Sequence, residues 1–312
     1  MLYVTTRSKS DTYTAYKALT QDYAPDGGMF VPFHLTQIAR SDIEGKTFSE
    51  CVALVINTFF SARLNSWDID FCIGRTPVKL VSLVRKNIVA ELWHNLGTDY
   101  DYLAKNLYSI VCQNDGTVCP HWWKIAVRIS ILFGIYAQCL QEGVLNDEKI
   151  FDIAIDAEDA SALMSAWYAR KMGLPIHTII CCCQENNPSW ELIKHGTIAG
   201  PALAAASVAQ RCCFEQLLSA ALSNDAVTKL LTAFDTHKQF AVEPDEVSVL
   251  HNGLFPASIS NARIAPVMSS VQRTDNYNID AGCAFVYGGL QDYRAVTGES
   301  REAILLSERP NK

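Results

Sequence analysis

This sequence has no strong charge excess and no block of basic residues. Its 26 Lys and Arg residues are set against 33 Asp and Glu residues over 312 positions, which gives a formal net charge of −7. Surfaces that bind nucleic acid need clustered positive charge, so nucleic acid is not expected as a partner. A chain of this length can bury a large core and form one large domain or two.

The sequence also lacks an uninterrupted apolar run that could cross a membrane. Its most apolar long segment, Trp122 to Leu140, is broken by Lys124 and Arg128. A membrane-spanning helix needs about 20 consecutive, predominantly apolar residues, so this segment is predicted to be a buried helix. The N-terminal residues MLYVTTRSKS lack the apolar core of a signal peptide. We therefore expect no association with a membrane.

The cysteines do not follow the pattern of a secreted disulfide framework. There are 11 of them, an odd number, and they include the runs Cys181 to Cys183 and Cys212-Cys213. Secreted frameworks are usually short and even in count. Free cysteine packs as a small hydrophobe, which predicts buried thiols in a reducing, cytoplasmic location. The spacing of Cys112, Cys119 and His121 fits no common zinc pattern, so no metal is expected.

Local patterns predict a chain of mixed α/β class. Strands are predicted over residues 78–84, 88–93, 150–155 and 176–183, and helices over residues 47–63, 121–142, 159–172, 207–222, 225–234 and 261–271. The run 176–183 is apolar almost throughout, as expected for a strand that is buried on both faces. Two strands that flank one helix predict a right-handed crossover in a parallel sheet.

Three segments of the chain carry motifs of one enzyme family. ELWHNLGTDYDYLAK (residues 91–105) is similar to L-[FW]-H-G-P-T-x-A-F-K-D, LYVTTRS followed by YAPDGGMFVP (within residues 2–32) is similar to a strand with T-R and then A-P-D-G-G-[LM]-[FY]-V-P, and ARKMGLPI (residues 169–176) is similar to A-x-K-M-G-L-P-I. These motifs belong to threonine synthases, which use pyridoxal phosphate (PLP). The resemblance implies an α/β, fold-type II PLP-enzyme-like (tryptophan synthase β-like) parallel-sheet core, with a threonine synthase N-terminal region and a reduced small domain.

The resemblance divides the chain into a threonine synthase-like N-terminal region, residues 1–93, and a PLP-enzyme-like core, residues 94–312. Most of the small domain is expected to be deleted near residues 109–121, because Ile110 to Cys112 resembles one of the family's strands and Trp122 to Ile125 resembles the start of a much later helix. Loss of a domain exposes surface that was formerly an interface, so self-association into a homo-oligomer is expected.

A PLP enzyme needs a lysine for the cofactor's aldehyde, a cradle for its phosphate and a partner for its pyridine nitrogen. The resemblance places Asp101 at the lysine position, and a carboxylate cannot form an imine. Lys105 is the candidate substitute, but it follows by one helical turn, and a shift of about 6 Å would misplace the ring. We favour an ordinary i,i+4 pair between Asp101 and Lys105.

The resemblance places the phosphate cradle, which is P-T-G-N-F-G-D in the family, at residues 156–162, DAEDASA. Both glycines are absent, and three acids lie where the backbone should approach a phosphate dianion. Acids favour a helix N-terminus, so they can cap this helix themselves. The segment 277–286 keeps the Asp and the Ala of the family's Y-x-x-D-P-H-T-A-V but not its Pro and His, and it gives no assigned nitrogen partner.

These losses predict a threonine synthase-like pseudoenzyme with a binding or structural role, a protein or small-ligand partner and no cofactor. One alternative is a PLP lyase that acts on O-phosphohomoserine with a substitute lysine. Another is a cofactor-free enzyme that uses His94 with nearby acids in general acid–base catalysis. The pocket candidates are His94, Asp101, Glu158, Asp159 and Ser161, and the candidate anion contacts without an assigned role are Arg75, Lys79 and Lys124.

Overall fold

A computed structural model describes residues 1–73, 78–92, 100–113, 119–145, 148–185 and 187–307, without the side chains of Tyr100 and Asp101. The strands are β1 (Leu2–Thr5), β2 (Tyr13–Thr14), β3 (Phe30–Pro32), β4 (Lys79–Leu83), β5 (Asn87–Glu91), β6 (Phe151–Asp156), β7 (Ile176–Cys183), β8 (Thr197–Ile198), β9 (Phe240–Ala241), β10 (Leu254–Ser258) and β11 (Ala303–Ser307). The helices are α1 (Ala15–Thr20), α2 (Arg40–Ile43), α3 (Phe48–Phe60), α4 (Ser66–Ile73), α5 (Tyr100–Cys112), α6 (His121–Glu142), α7 (Ala160–Lys171), α8 (Pro188–His195), α9 (Gly200–Ala205), α10 (Val208–Ala221), α11 (Asn224–Thr236), α12 (Pro244–His251), α13 (Ile264–Asp275) and α14 (Ala281–Thr297).

The main sheet has six strands in the order β10-β7-β6-β11-β5-β4. Five of them run parallel, and β4 pairs antiparallel with β5 at one edge. Alternate residues of each strand face opposite sides of the sheet, so both faces need a cover. Ile153 and Ile179 pack into the larger core cluster with α3, α6 and α7, whereas Ala154 and Ile180 pack beneath α14. The predicted α/β fold with a parallel sheet is confirmed.

The unit from β6 to β7 follows the predicted crossover. Strand β6, helix α7 and strand β7 occur in the expected order, and β6 pairs parallel with β7. Helix α6 has the predicted bounds, since Pro120 precedes it and Gly143 adopts a left-handed φ of 65° at its end. Thr47 and Glu50 form a capping box at the start of α3. The two strands predicted over residues 78–84 and 88–93 correspond to β4 and β5, which pair as a hairpin.

The expectation of a strand at Ile110 to Cys112 is wrong, because these residues form the end of α5. The apolar residues of this helix recur at helical spacing, and Leu103, Leu107 and Tyr108 are buried. Three β-prone residues at the end of such a pattern extend the helix. The division of the chain at residue 93 and the deletion near residues 109–121 stay predictions.

Two further sequence expectations concern burial. All 11 cysteines lie within the described ranges, none is in a disulfide, and nine of them are buried, which confirms the predicted packing of the thiols. Among the described residues, α6 is the one helix long and apolar enough to cross a bilayer, but 83% of its most apolar window is buried inside the protein. This helix therefore serves as a core element of the fold.

Candidate active site edge

The carboxyl ends of the parallel strands define one edge of the main sheet. At this edge β5 ends at Glu91, β6 at Asp156 and β11 at Ser307. Open α/β sheets bind ligands in the crevice outside these ends. Residues 156–162, where the resemblance places the family's phosphate cradle, follow β6 at this edge, and β5, which precedes the family's lysine motif in the sequence, ends at the same edge.

The segment of the lysine motif, residues 91–105, is described only in part. His94 lies outside the described residues, as does Arg75. Asp101 lies in the first turn of α5, but its side chain is outside the description, so its pairing with Lys105 stays a prediction. Lys105 is half-buried and directly follows the fully buried Ala104. It therefore lies at the margin of the buried face of α5.

The segment 156–162 is capped by its own acid. Asp159 is the N-cap residue of α7, and its Oδ1 accepts a hydrogen bond of 2.9 Å from the backbone N–H of Ser161. The hydroxyl of Ser161 also donates to Asp159 Oδ1. A free N–H group in the first turn of a helix is what a bound phosphate would use. Here that donor already has a carboxylate partner.

Arg128 of α6 is the counterion of this carboxylate. Its Nη1 donates to Asp159 Oδ2 and to the hydroxyl of Ser161, and only 15% of the Arg128 side chain is exposed. Burial alone would raise the pKa of Asp159, but the charge of Arg128 and the hydrogen bonds from Ser161 and Arg128 lower it by more, so its pKa lies below the ordinary value. Asp159 is therefore a carboxylate at neutral pH.

The sequence alone did not identify the role of Arg128. The position of Arg128 in the sequence could have indicated this role, since an arginine inside the apolar run Trp122 to Leu140 requires a partner when that run is buried. The neighbouring sequence does not indicate which acid is the partner of Arg128, because Asp159 lies 31 residues away in the chain. The fold of α6 against α7 brings the two together.

Glu158 and its neighbours fix the loop between β6 and α7. The Glu158 carboxylate accepts a hydrogen bond of 2.9 Å from the backbone N–H of Gln184, and its carbonyl accepts one of 3.3 Å from Gln210 Nε2. The backbone N–H of Ala157 donates to the carbonyl of Cys182 at 2.8 Å. The loop is thus bonded to the end of β7 and to α10, and Glu158 serves as an acceptor in that arrangement.

This loop does not fit the phosphate of PLP. The positions that approach the phosphate in a glycine-rich cradle carry side chains here, and an N–H group of the first helical turn is bonded to Asp159. A dianion beside that carboxylate would be repelled by it. The predicted interpretation of residues 156–162 as a self-capped helix start agrees with this geometry, because Asp159 makes the N-cap hydrogen bond.

A second polar cluster lies at the same edge and was not predicted. Glu91, with 3% of its side chain exposed, accepts a hydrogen bond of 2.7 Å from the hydroxyl of Tyr277 and lies 3.1 Å from Lys79 Nζ. Burial and the bond to Glu91 raise the pKa of Tyr277, so its hydroxyl stays a donor. Nearby, Asp280 caps α14 and accepts from the hydroxyl of Ser307. The feature of the sequence that could have indicated this cluster is Glu91, a lone acid at the end of an apolar strand.

The charges of this cluster are matched within the protein. Lys79, a candidate anion contact, is paired with Glu91, and Lys124 lies half-buried in α6. Within the described ranges, no group of His, Cys, Asp and Glu side chains could hold a metal ion. Among the described residues of this cluster, Lys79 and Tyr277 both contact the carboxylate of Glu91.

Comparison with protein families matches the N-terminal part of the chain. Residues 2–76 fit the family described as "Threonine synthase N terminus". Two curated relatives, the threonine synthase-like 1 proteins of Pongo abelii and Homo sapiens, are each 20% identical over 235 residues, which cover 70% of this chain. The match spans only 29% of the length of these relatives.

Solved structures share the fold over almost the whole chain. The PLP-bound threonine synthase of Brucella melitensis superposes with a TM-score of 0.78 at 16% identity, covering 98% of this chain and 88% of that one. Threonine synthase from yeast gives 0.78 at 14% identity, with 98% and 87% covered, and that from Escherichia coli gives 0.69 at 12%, with 99% and 88% covered. At these identities the likeness establishes the fold.

Proposed function

Because this chain is a relative of the threonine synthases, we propose that it keeps the fold of that family without its PLP-dependent catalysis. In this proposal the protein is a pseudoenzyme with a binding or structural role, and it takes no cofactor. Fold and function are separable, since activity resides in a site and not in the scaffold that carries it. The site therefore decides the proposal.

The observation that carries the proposal is the carboxylate of Asp159 at the start of α7. It bonds the first-turn N–H group of Ser161 and pairs with Arg128, so the protein's own anion occupies the place where the resemblance puts a phosphate. Asp101 at the lysine position adds independent support from the sequence. Two changes at separate loops remove two different requirements of cofactor binding.

The alternatives receive less support. A substitute lysine at Lys105 would still need a phosphate cradle, and the loop after β6 offers a paired carboxylate instead. A cofactor-free acid–base enzyme needs a group with a pKa near the working pH. The pKa of Asp159 is lowered, which moves that acid away from such a role.

The proposal is tested by incubating the protein with O-phosphohomoserine and saturating PLP and measuring release of inorganic phosphate. We expect no release above the rate without protein. PLP-dependent release would contradict the proposal. If release occurred, its loss in Lys105→Met but not in Lys17→Met, an exposed lysine of α1, would identify Lys105 as the substitute for the family's lysine.

We also propose a cytoplasmic location and self-association. The 11 unpaired and mostly buried thiols support a reducing compartment. Self-association follows from the predicted loss of a small domain, which would leave former interface surface uncovered. Light scattering of the purified protein tests the second proposal, since a monomer at all concentrations would contradict it.

A further inference from the structure

A cavity of about 460 Å³ opens at the opposite edge of the main sheet, where the parallel strands begin. It lies between the turn that joins β4 to β5, the last turns of α14 and the loop that leads into β11. Its lining includes Arg85, Lys86, Tyr287, Gln291, Arg294 and Ser300. Its volume is within the usual range for a small-molecule site. It is distinct from the edge that holds Asp159.

Arg294 supplies positive charge that has no direct carboxylate partner among the described residues. Its Nη1 donates to the carbonyl of Arg85 at 2.9 Å and to Asn87 Oδ1 at 2.8 Å, and its Nη2 donates to the carbonyl of Arg301 at 2.7 Å. These acceptors are neutral, so they hold the guanidinium in place without cancelling its charge. Its buried Nε has no hydrogen-bond partner within the described part of the chain. Burial lowers the pKa of Arg294, although the charge of the Asp152 carboxyl opposes part of this shift.

Arg85 and Lys86 are held at the cavity by an unusual turn. Both are exposed and both adopt a left-handed backbone conformation, with φ of 59° and 61°. Side-chain-bearing residues rarely adopt this conformation, and two in succession are costly. Strained positions of this kind concentrate at functional sites. Here the turn with these two left-handed residues places the side chains of Arg85 and Lys86 at the same cavity as Arg294.

Three acids lie near the cavity, namely Asp152, whose charge raises the pKa of Arg294, Asp275 and Glu302. Asp275 accepts a hydrogen bond from the backbone N–H of Val84, and Glu302 lies 3.8 Å from Lys86 Nζ. Glu302 therefore offsets part of the charge of Lys86 but leaves that of Arg85. Tyr287 also lines the cavity, although only 5% of it is exposed, and its hydroxyl accepts a hydrogen bond of 2.9 Å from Asn87 Nδ2.

We propose that this cavity binds a small organic anion, whose carboxylate or phosphate group contacts Arg85 and Arg294 and whose apolar part packs on Tyr287. Guanidinium groups suit both kinds of anion because their N–H groups match paired oxygens. The proposal is independent of the loss of PLP binding. It gives the fold a ligand site on the side away from its ancestral one.

Calorimetric titration of the full chain with phenyl phosphate tests the proposal, because this probe combines a dianion with a ring. Arg85→Gln removes the exposed cation and keeps a side chain at the same left-handed position. Arg63→Gln is the matched control, since Arg63 is also exposed, has a φ of 60° and does not line the cavity. Circular dichroism establishes that both variants are folded.

We expect phenyl phosphate to bind the native chain and Arg63→Gln alike, and to bind Arg85→Gln at least about tenfold more weakly. Phenol, which has the ring without the charge, should not bind. The proposal is overturned if phenyl phosphate gives no binding up to about 10 mM. It is also overturned if Arg85→Gln binds as tightly as the control, because the probe would then occupy another place, such as the start of α7.

Discussion

At the scale of single residues, Asp159 combines two functions. It caps α7 through the N–H of Ser161, and it supplies the carboxylate that pairs with Arg128. A glycine-rich loop would leave both the helix N-terminus and such an arginine available to an external anion. One acidic side chain is therefore sufficient to satisfy both groups internally.

Asp159→Asn separates these two functions. Asparagine caps a helix about as well as aspartate, so the main loss is the ion pair with Arg128. Because 47% of the Asp159 side chain is exposed, we expect the free energy of unfolding to fall by only about 1 kcal/mol. Added inorganic phosphate should then stabilise the variant more than it stabilises the native chain, since the carboxylate that pairs with Arg128 is absent from the variant.

Urea unfolding with and without phosphate measures both effects. Asp225→Asn is the control, because Asp225 is an exposed acid in the first turn of α11. Equal stabilisation of the native chain by phosphate would contradict the assigned role of Asp159.

The same pair predicts a pH dependence. The pKa of Asp159 is lowered in the folded protein, so its contribution to stability is fully present above the unfolded value of about 4. The contribution is lost as the pH falls from there through the folded pKa. Asp159→Asn lacks this group, so the difference in unfolding free energy between native chain and variant should shrink below about pH 4. A difference that stays constant from neutral to acidic pH would exclude the pair as its source.

At the scale of elements, α14 is the helix that covers one face of the main sheet. It contacts β6, β7, β10 and β11, and it carries Asp280 at one edge and Arg294 at the other. Close approach to the sheet depends on Gly289, where an added Cβ would lie 2.2 Å from the sulfur of Cys182. At the adjacent Gly288, the nearest atom would be 3.6 Å away.

These neighbouring glycines give a matched pair of substitutions. Gly289→Ala should destabilise the protein by roughly 1–3 kcal/mol, because overpacking outweighs the better helix propensity of alanine. Gly288→Ala has room for its methyl group and should be neutral or stabilising by up to about 1 kcal/mol. Thermal unfolding of the two variants compares them directly. Similar stability of both variants would mean that the packing of α14 on β7 is looser than described.

Elements were more predictable from the sequence than contacts between them. Helix α6 could be bounded because Pro120 and Gly143 are local signals at its two ends. The end of α5 could not, because Ile110 to Cys112 is too short a run to distinguish strand from helix. The bond from Tyr277 to Glu91 spans 186 positions, and no local pattern specifies such a partner.

At the scale of the whole molecule, the chain shares its fold with solved threonine synthases. A solved threonine synthase superposes on 98% of it, and strands β5 and β6, which the two predicted cofactor motifs follow in the sequence, end at one edge of its sheet. The resemblance in the sequence predicted the fold, and the altered cofactor positions that it implies stay predictions. It did not indicate Arg128 as the partner of Asp159.

The most direct test is PLP binding to the purified full chain. The protein would be titrated with PLP while its visible absorbance is followed, then reduced with borohydride and mapped by peptide mass for a modified lysine. We predict no saturable absorbance change and no lysine trapped above the background labelling of a denatured sample. A stoichiometric PLP-linked lysine, at Lys105 or elsewhere, would contradict the loss of cofactor binding and show which residue had replaced Asp101.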